Sequence, residues 1–331
     1  MKLSEFKCYE NIPGIIGIKT NVKDFFWGFG ECKSDVPEEN FERCKIKVRL
    51  EVRPDKRVFE GANLSEYNSH FRHFKAAPEK SSVIFSQTIK HTVQLKYVLT
   101  VDGNTVNMVV GKSYLRLVKT KLMYIHPVAF ILFDVVSLLL LKNGLTTLYC
   151  SAVYLPNGKS VVFSAPPNTG KSLCALKLRK DFGAEIVAED MAATDGVSLW
   201  GAPNTNLYRD YNDKSLMDFD SSKFCSKLNS VDYLTILQKG GTDCKTESAD
   251  FLKKLILINR YSLGYYYSPC VRVLCFYNKN MSIDNAQRTE EAILKKLTEN
   301  AVCGTLSNPN PMEFSTQTMS LIDGANGGES N

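Results

Sequence analysis

The chain has 331 residues, of which 44% are apolar and 23% charged, with a formal net charge of +6. This is the composition of an ordinary globular chain, long enough for two modest domains or one large one. Its basic residues are spread without a run of five or more, which suits an anionic ligand such as a nucleotide and makes no case for nucleic acid.

The ten cysteines fall at irregular spacings with no Cys-x-x-Cys pair, and Lys2, Glu5 and Lys7 interrupt any apolar run at the N-terminus. Free thiols in a reducing cytoplasm are therefore expected rather than a disulfide frame. His70, His73, His91 and His126 have no cysteine pair at finger spacing, so a zinc site is not expected.

Residues 1–122 read as a β-rich N-terminal region. In CKIKVRLEVRP (44–54), Ile46, Val48, Leu50 and Val52 alternate with Lys47, Arg49 and Glu51, the period of a half-buried strand. VQLKYVLTVDGNTVNMVVG (93–111) is two extended runs around Asp102-Gly103, a hairpin signal. Residues 54–80 are polar and punctuated, a loop with one short strand. In HPVAFILFDVVSLLLLKNG (126–144), the apolar part runs only from Pro127 to Leu141 and contains Asp134. That is short of the ~20 residues of a membrane-spanning helix, so we expect a buried helix over 127–142, capped by Asn143-Gly144, and no membrane association.

A P-loop α/β domain with a mixed sheet is expected over 123–318. TLYCSAVYL (147–155) reads as a strand, Pro156-Asn157-Gly158 as a tight turn and KSVVFSA (159–165) as a second strand. A helix follows over 171–181 with Leu173, Ala175, Leu176 and Leu178 on its buried face, stopped by Gly183. AEIVAED (184–190) is a short buried strand ending in two acids. Strand, loop, helix and strand in this order can form a right-handed crossover. GVSLWGAP (196–203), VDYLTILQK (231–239) and VRVLCFY (271–277) read as strands, and ESADFLKKLILI (247–258) and NAQRTEEAILKKLTEN (285–300) as helices. The tail, 319–331, ends in DGANGGESN, has nothing to bury and is expected to be disordered.

The chemistry concentrates in SAPPNTGKSLCALKL (164–178). Ala165-x4-Gly170-Lys171-Ser172 has Walker A spacing with alanine in the first position. Backbone N–H groups must converge on phosphate oxygens, and Gly170 permits the required positive φ. Lys171 can reach the β and γ phosphates, the Ser172 hydroxyl can sit on Mg²⁺, and the helix N-terminus adds its positive end. Pro166 and Pro167 lack N–H donors, but Asn168, Thr169, Gly170, Lys171, Ser172 and Leu173 keep theirs, and the prolines stiffen the early half of the loop.

Glu189 and Asp190 end the strand after the loop's helix. Phosphoryl transfer to a hydroxyl needs Mg²⁺ held near the phosphates and a base for the acceptor's proton. One carboxylate can do each job, although adjacent acids can also simply end a strand and face water. Glu185 reads as an exposed strand-face charge and Asp195 as a turn residue before Gly196. Cys150, Cys174 and Tyr149 read as core, and Arg209 and Arg260 as solvated or paired surface arginines.

With SAVYLPNGKSVVFSAPPNTGKSLCALKL, GAEIVAEDM, LWGAPNT and SVDYLTILQKG, the stretch from about 130 to 260 resembles the kinase domain of HPr kinase/phosphorylase. That fold is shared more distantly with phosphoenolpyruvate carboxykinase. The resemblance implies ATP and Mg²⁺ as cofactors, Lys171 and Ser172 serving phosphate and metal, Glu189 as the base and Asp190 helping with the metal. Two departures stand out. The family's aspartate pair is Glu-Asp here, and its histidine in the strand before the hairpin turn is replaced by Tyr149 or Cys150. No histidine follows His126, so a histidine-assisted mechanism and phosphorylase activity do not follow from the resemblance.

The leading expectation is an ATP-dependent kinase acting on a hydroxyl, most simply serine in a peptide or protein partner. The alternatives are a nucleotide-binding partner protein without catalysis and a P-loop ATPase or GTPase. Against the latter, no later strand ends in a lone Walker B aspartate, and YNKNM (277–281) is a poor guanine motif.

Overall fold

The computed structural model describes residues 3–202, 225–240, 248–263, 268–277 and 282–326, and every count below is of those residues. Two compact units are present, Met1–Asn143 with Tyr265–Thr289, and Gly144–Gly264 with Glu290–Asn331.

The first unit opens with β1 (Leu3–Ile12), β2 (Ile16–Val22), β3 (Phe26–Trp27), β4 (Gly30–Glu31), α1 (Glu38–Arg43) and β5 (Ile46–Arg53). Then follow β6 (Ser69–Phe71), β7 (Phe74–Ala77), β8 (Ser82–Ile89), β9 (Val93–Asp102), β10 (Thr105–Gly111), α2 (Lys112–Leu117) and α3 (Val128–Lys142). Eight strands form one sheet in the order β1-β2-β5-β10-β9-β8-β7-β6. The alternation in β5 is real: Ile46, Val48, Leu50 and Val52 are buried while their neighbours are not. β9 and β10 form the expected hairpin, with Asp102 opposite Thr105 and Gly103 at φ +55° in the turn. Residues 54–80 hold two short strands, β6 and β7, rather than one. α3 is buried along nearly its whole length and packs on β3, β5 and β10.

The second unit begins with β11 (Thr146–Leu148), β12 (Cys150–Tyr154), β13 (Ser160–Ser164), α4 (Lys171–Phe182) and β14 (Glu185–Ala188). It continues through β15 (Ala192–Thr194), β16 (Leu199–Gly201), β17 (Lys227–Leu228), β18 (Tyr233–Gln238) and α5 (Ser248–Leu263). After α6 (Pro269–Tyr277), which belongs to the first unit, come α7 (Ile283–Asn300), whose residues up to Thr289 also belong to the first unit, β19 (Val302–Ser307) and α8 (Phe314–Asn326). A five-stranded sheet has the order β14-β12-β13-β18-β19 and a four-stranded sheet the order β11-β15-β16-β17. The five-stranded sheet is mixed: β12 runs antiparallel to both β14 and β13, while β18 is parallel to β13 and β19. The expected α/β class with a β-rich N-terminal region and a mixed sheet is therefore present. The two sheets of this unit come very close at Gly201, where a Cβ would lie 1.6 Å from the Val187 carbonyl oxygen.

Four expectations need correction. VRVLCFY is helix α6, not a strand: Cys270, Val271, Val273 and Leu274 are its buried residues, a helical spacing that the β-branched composition masked. Its N-terminus is fixed by Ser268, whose hydroxyl accepts from Val271 N at 3.3 Å and whose own N–H donates to Asp134 Oδ2 at 3.1 Å. TLYCSAVYL is two strands, β11 and β12, in different sheets, divided at Tyr149. The stretch from 319 is not a disordered tail: α8 runs through to Asn326, and Ile322 is fully buried beside Phe314 in an apolar cluster of the second unit. Residues 327–331 lie outside the described residues. Finally, the first unit extends past 122 to Asn143 and also takes 265–289, because α3 packs on its strands and α6 packs on α3, β7 and β8.

Among the described residues no helix is long and apolar enough to cross a membrane.

Candidate functional site

β13 delivers the chain into the 165–172 loop, and α4 carries it away. The strand is buried throughout, as expected for a sheet interior. Pro166, Pro167 and Asn168 form the exposed tip, and the Thr169 hydroxyl donates back to the Pro166 carbonyl oxygen at 2.8 Å. Asn168 has φ +64° and Gly170 φ +122°, so the loop turns twice through the left-handed half of backbone space. Gly170 is also sterically required. A Cβ there would meet Pro311 at 2.8 Å. α4 ends at Gly183 with φ +72°. Its buried face uses Cys174, Ala175, Leu176 and Leu178, with Leu173 only half-buried.

Lys171 stands at the first position of α4 and is 4% exposed. Its ammonium lies 3.3 Å from Asp190 Oδ1 and 3.8 Å from the centroid of the Tyr149 ring. Burial pulls its pKa below the usual lysine range, opposed by Asp190 and, more weakly, by Glu189. A desolvated ammonium over an aromatic face is stabilised by about 2 kcal/mol, so ring and carboxylate together hold the charge where bulk water does not. Ser172, next along the helix, is 5% exposed.

The acid pair sits where β14 stops. Glu189 is 2% exposed and Asp190 9%, so the water-facing alternative is excluded for both. Asp190 has φ +67°, which breaks β14 and lets β15 begin two residues later in the other sheet. By contrast Glu185 is exposed, and the Asp195 carboxylate accepts from Val197 N and Ser198 N at 2.9 and 2.8 Å, both as expected.

Tyr149 is placed by a buried polar network. The strand switches sheets there, so Tyr149 lies between β11 and β12 and outside both strands. Asn259 of α5 bonds the backbone at this point: Oδ1 accepts from Tyr149 N at 2.8 Å and Nδ2 donates to Thr147 O at 3.1 Å. Nδ2 also donates to Glu290 at 3.0 Å. Arg260 closes the set with ion pairs to Glu290 at 2.8 Å and Glu291 at 3.0 Å, the paired role expected for it. Glu290 is pushed up by burial, with Arg260 restraining the rise.

The loop, Lys171, Ser172, Glu189 and Asp190 therefore belong to one unit, with Lys171 and Asp190 in direct contact. Cys150 and Cys174 are fully buried, and burial raises both thiols, Cys174 to about 12. They belong to the core. Arg209 and the end of LWGAPNT lie outside the described residues. Three neighbours of the site went unread in the sequence. The Tyr149 ring reads as core, Asn259 sits in a helix whose sequence signal is its apolar face, and Pro311 belongs to Asn308-Pro309-Asn310-Pro311, a turn signal.

The donor set fits a magnesium nucleotide. Ser172 and Asp190 offer hard oxygen donors, the type Mg²⁺ prefers, and Lys171 and the α4 N-terminus offer positive charge of the kind a phosphate calls for.

No family model matches the chain, and no curated protein matches it. Among solved structures, the HPr(Ser) kinase/phosphatase of Coxiella burnetii is similar at 16% identity over 28% of this chain and 66% of that chain, with a TM-score of 0.23. The matched part is thus just under two thirds of that chain, and the likeness is weak and confined to the fold.

Proposed function

We propose that the second unit binds ATP with Mg²⁺ on the 165–172 loop and transfers the γ-phosphate to a hydroxyl, most simply serine of a peptide or protein. One observation supports this best: Lys171, buried at a helix N-terminus behind a phosphate-loop turn, is held between an acid and an aromatic ring. An ammonium kept desolvated in this way is available to an anion that displaces or joins Asp190.

In this reading the N–H groups from Asn168 to Leu173 and the Lys171 ammonium bind the phosphates, and Ser172 with Asp190 holds the metal. Glu189 takes the proton of the acceptor hydroxyl. Bound Mg²⁺ would offset the charge on the β and γ phosphates. Glu189 and Lys171 are buried from water, which strengthens each electrostatic contact. The free thiols of the nine described cysteines suit a reducing cytoplasm.

Labelled ATP with serine peptides tests the proposal. Transfer should be abolished by Lys171→Ala and lowered about a hundredfold or more by Glu189→Gln, within the range of general-base contributions. Transfer that survives Lys171→Ala refutes the assignment. The lack of any histidine after His126, where the resembling family carries one at Tyr149 or Cys150, favours a second reading: nucleotide binding without transfer. Saturable ATP binding, lost in Lys171→Ala, with no turnover on any hydroxyl acceptor would select it.

A further inference from the structure

A second candidate site lies wholly within the first unit, apart from the phosphate loop. Phe71, Met123, Tyr124, Val273, Phe276 and Tyr277 line a cavity of about 580 Å³, together with Pro269, His126 and Arg272. That size is ordinary for a small-molecule pocket, and so is a lining mostly apolar with few polar groups. Phe71 and Phe276 are exposed at its rim, although large aromatic residues gain by burial.

Its charged groups are of one sign. None of the lining residues is acidic. Arg272 projects from α6, the Arg72 guanidinium lies 4.2 Å from the centroid of the Tyr124 ring, and the Lys121 ammonium lies 4.3 Å from that of Phe130. His126 is 8% exposed, yet its Nδ1 has no hydrogen-bond partner among the described residues. Burial, with Lys121 and Arg272 adding repulsion, lowers the His126 pKa against a hydrogen bond to the Met123 backbone; the one N–H of the neutral ring serves Met123, which leaves Nδ1 an acceptor. A buried ring nitrogen without a partner costs about 1–3 kcal/mol, a cost that a ligand group would remove.

We propose that this pocket binds a small amphipathic carboxylate, with its aliphatic or aromatic body between Phe71, Tyr124, Val273 and Phe276 and its carboxylate at Arg272. One arginine matches a monoanion; a dianionic phosphate calls for more charged donors. The pocket is independent of the nucleotide assignment, since none of its residues belongs to that site.

The test uses the full chain and a dansyl-labelled undecanoate, whose fluorescence reports an apolar site. Saturable binding is expected, with displacement by dodecanoate at least tenfold better than by dodecan-1-ol or dodecyltrimethylammonium, because a charge-assisted hydrogen bond contributes enough for roughly tenfold. Arg272→Gln should weaken dodecanoate about tenfold and leave the alcohol unchanged. Phe276→Ser should weaken every apolar chain; both side chains are exposed, so the fold survives either change. Equal displacement by all three head groups, indifference to both substitutions, or displacement by an extended peptide but not by dodecanoate would each overturn the proposal. Lys171→Ala should leave probe binding unchanged, which separates this result from the fate of the kinase reading.

Discussion

Asp134 makes the sharpest prediction about how the first unit is held. It sits on α3, 4% exposed, and its carboxylate accepts from the N–H of Ser268 at the start of α6. Burial raises its pKa from the ordinary 3.8 to about 7, with the Ser268 hydrogen bonds and Lys121 restraining the rise. A carboxyl whose native pKa lies above its unfolded value contributes stability at low pH and loses it as pH climbs to the native pKa. The contribution is thus complete below about pH 4 and gone above about pH 7. Integrated between pH 5 and pH 8, the loss is about 2.5 kcal/mol. Asp134→Asn keeps an oxygen for Ser268 N–H and cannot titrate. Urea unfolding of both proteins at several pH values isolates the term as the difference between them. The wild-type free energy should fall relative to the variant by about 2.5 kcal/mol as pH rises from 5 to 8. A flat difference would mean that Asp134 titrates in the ordinary range, and the account of α6 as docked on a protonated buried acid would fail.

Other substitutions probe the phosphate loop and its supports. Asn259→Ala removes the Asn259 hydrogen bonds to the Tyr149 N–H and the Thr147 carbonyl and should cost about 1–3 kcal/mol in denaturant unfolding; a loss under about 0.5 kcal/mol would show that the network does not hold the strand break. Gly170→Ala should abolish nucleotide binding measured by calorimetry. Pairing it with Pro311→Gly should fail to restore binding, because φ +122° remains forbidden once the clash is gone. Tyr149→Phe should bind ATP as the parent does and Tyr149→Leu several-fold differently, since only the ring face touches Lys171; equal affinities for all three would remove the ring from the site. Gly201→Ala should not yield folded protein, because the atom it would strike is backbone, and soluble protein with native circular dichroism would contradict the close approach of the two sheets.

Much of the second unit was legible because its signals are local. The run from Ser160 to Gly183 carries a buried strand, a glycine-lysine-serine turn, a helix and its glycine stop in contiguous residues, each with its own backbone chemistry. The β9–β10 hairpin was legible for the same reason, as Asp102-Gly103 fixes the reversal. VRVLCFY is ambiguous because three buried positions in seven suit either period, and the partner of the helix start, Asp134, lies 134 residues before Ser268. The terminal helix α8 was missed because its stretch is weakly apolar and polar by turns, and packing of Phe314 and Ile322 onto the sheet decides it.

The sequence by itself determined the α/β class, the strand–loop–helix unit around Lys171 and the adjacency of Glu189 and Asp190, since these follow from residue type and near-neighbour spacing. Only the tertiary structure decided which charges meet. Lys171 and Asp190 are 19 positions apart, and their contact exists because β14 returns beside β12. Tyr149 touches Lys171 because its strand breaks between two sheets, with Asn259, 110 positions away, accepting from its N–H. Such encounters depend on sheet order and on the pairing of buried polar groups, quantities that no local pattern of residues encodes.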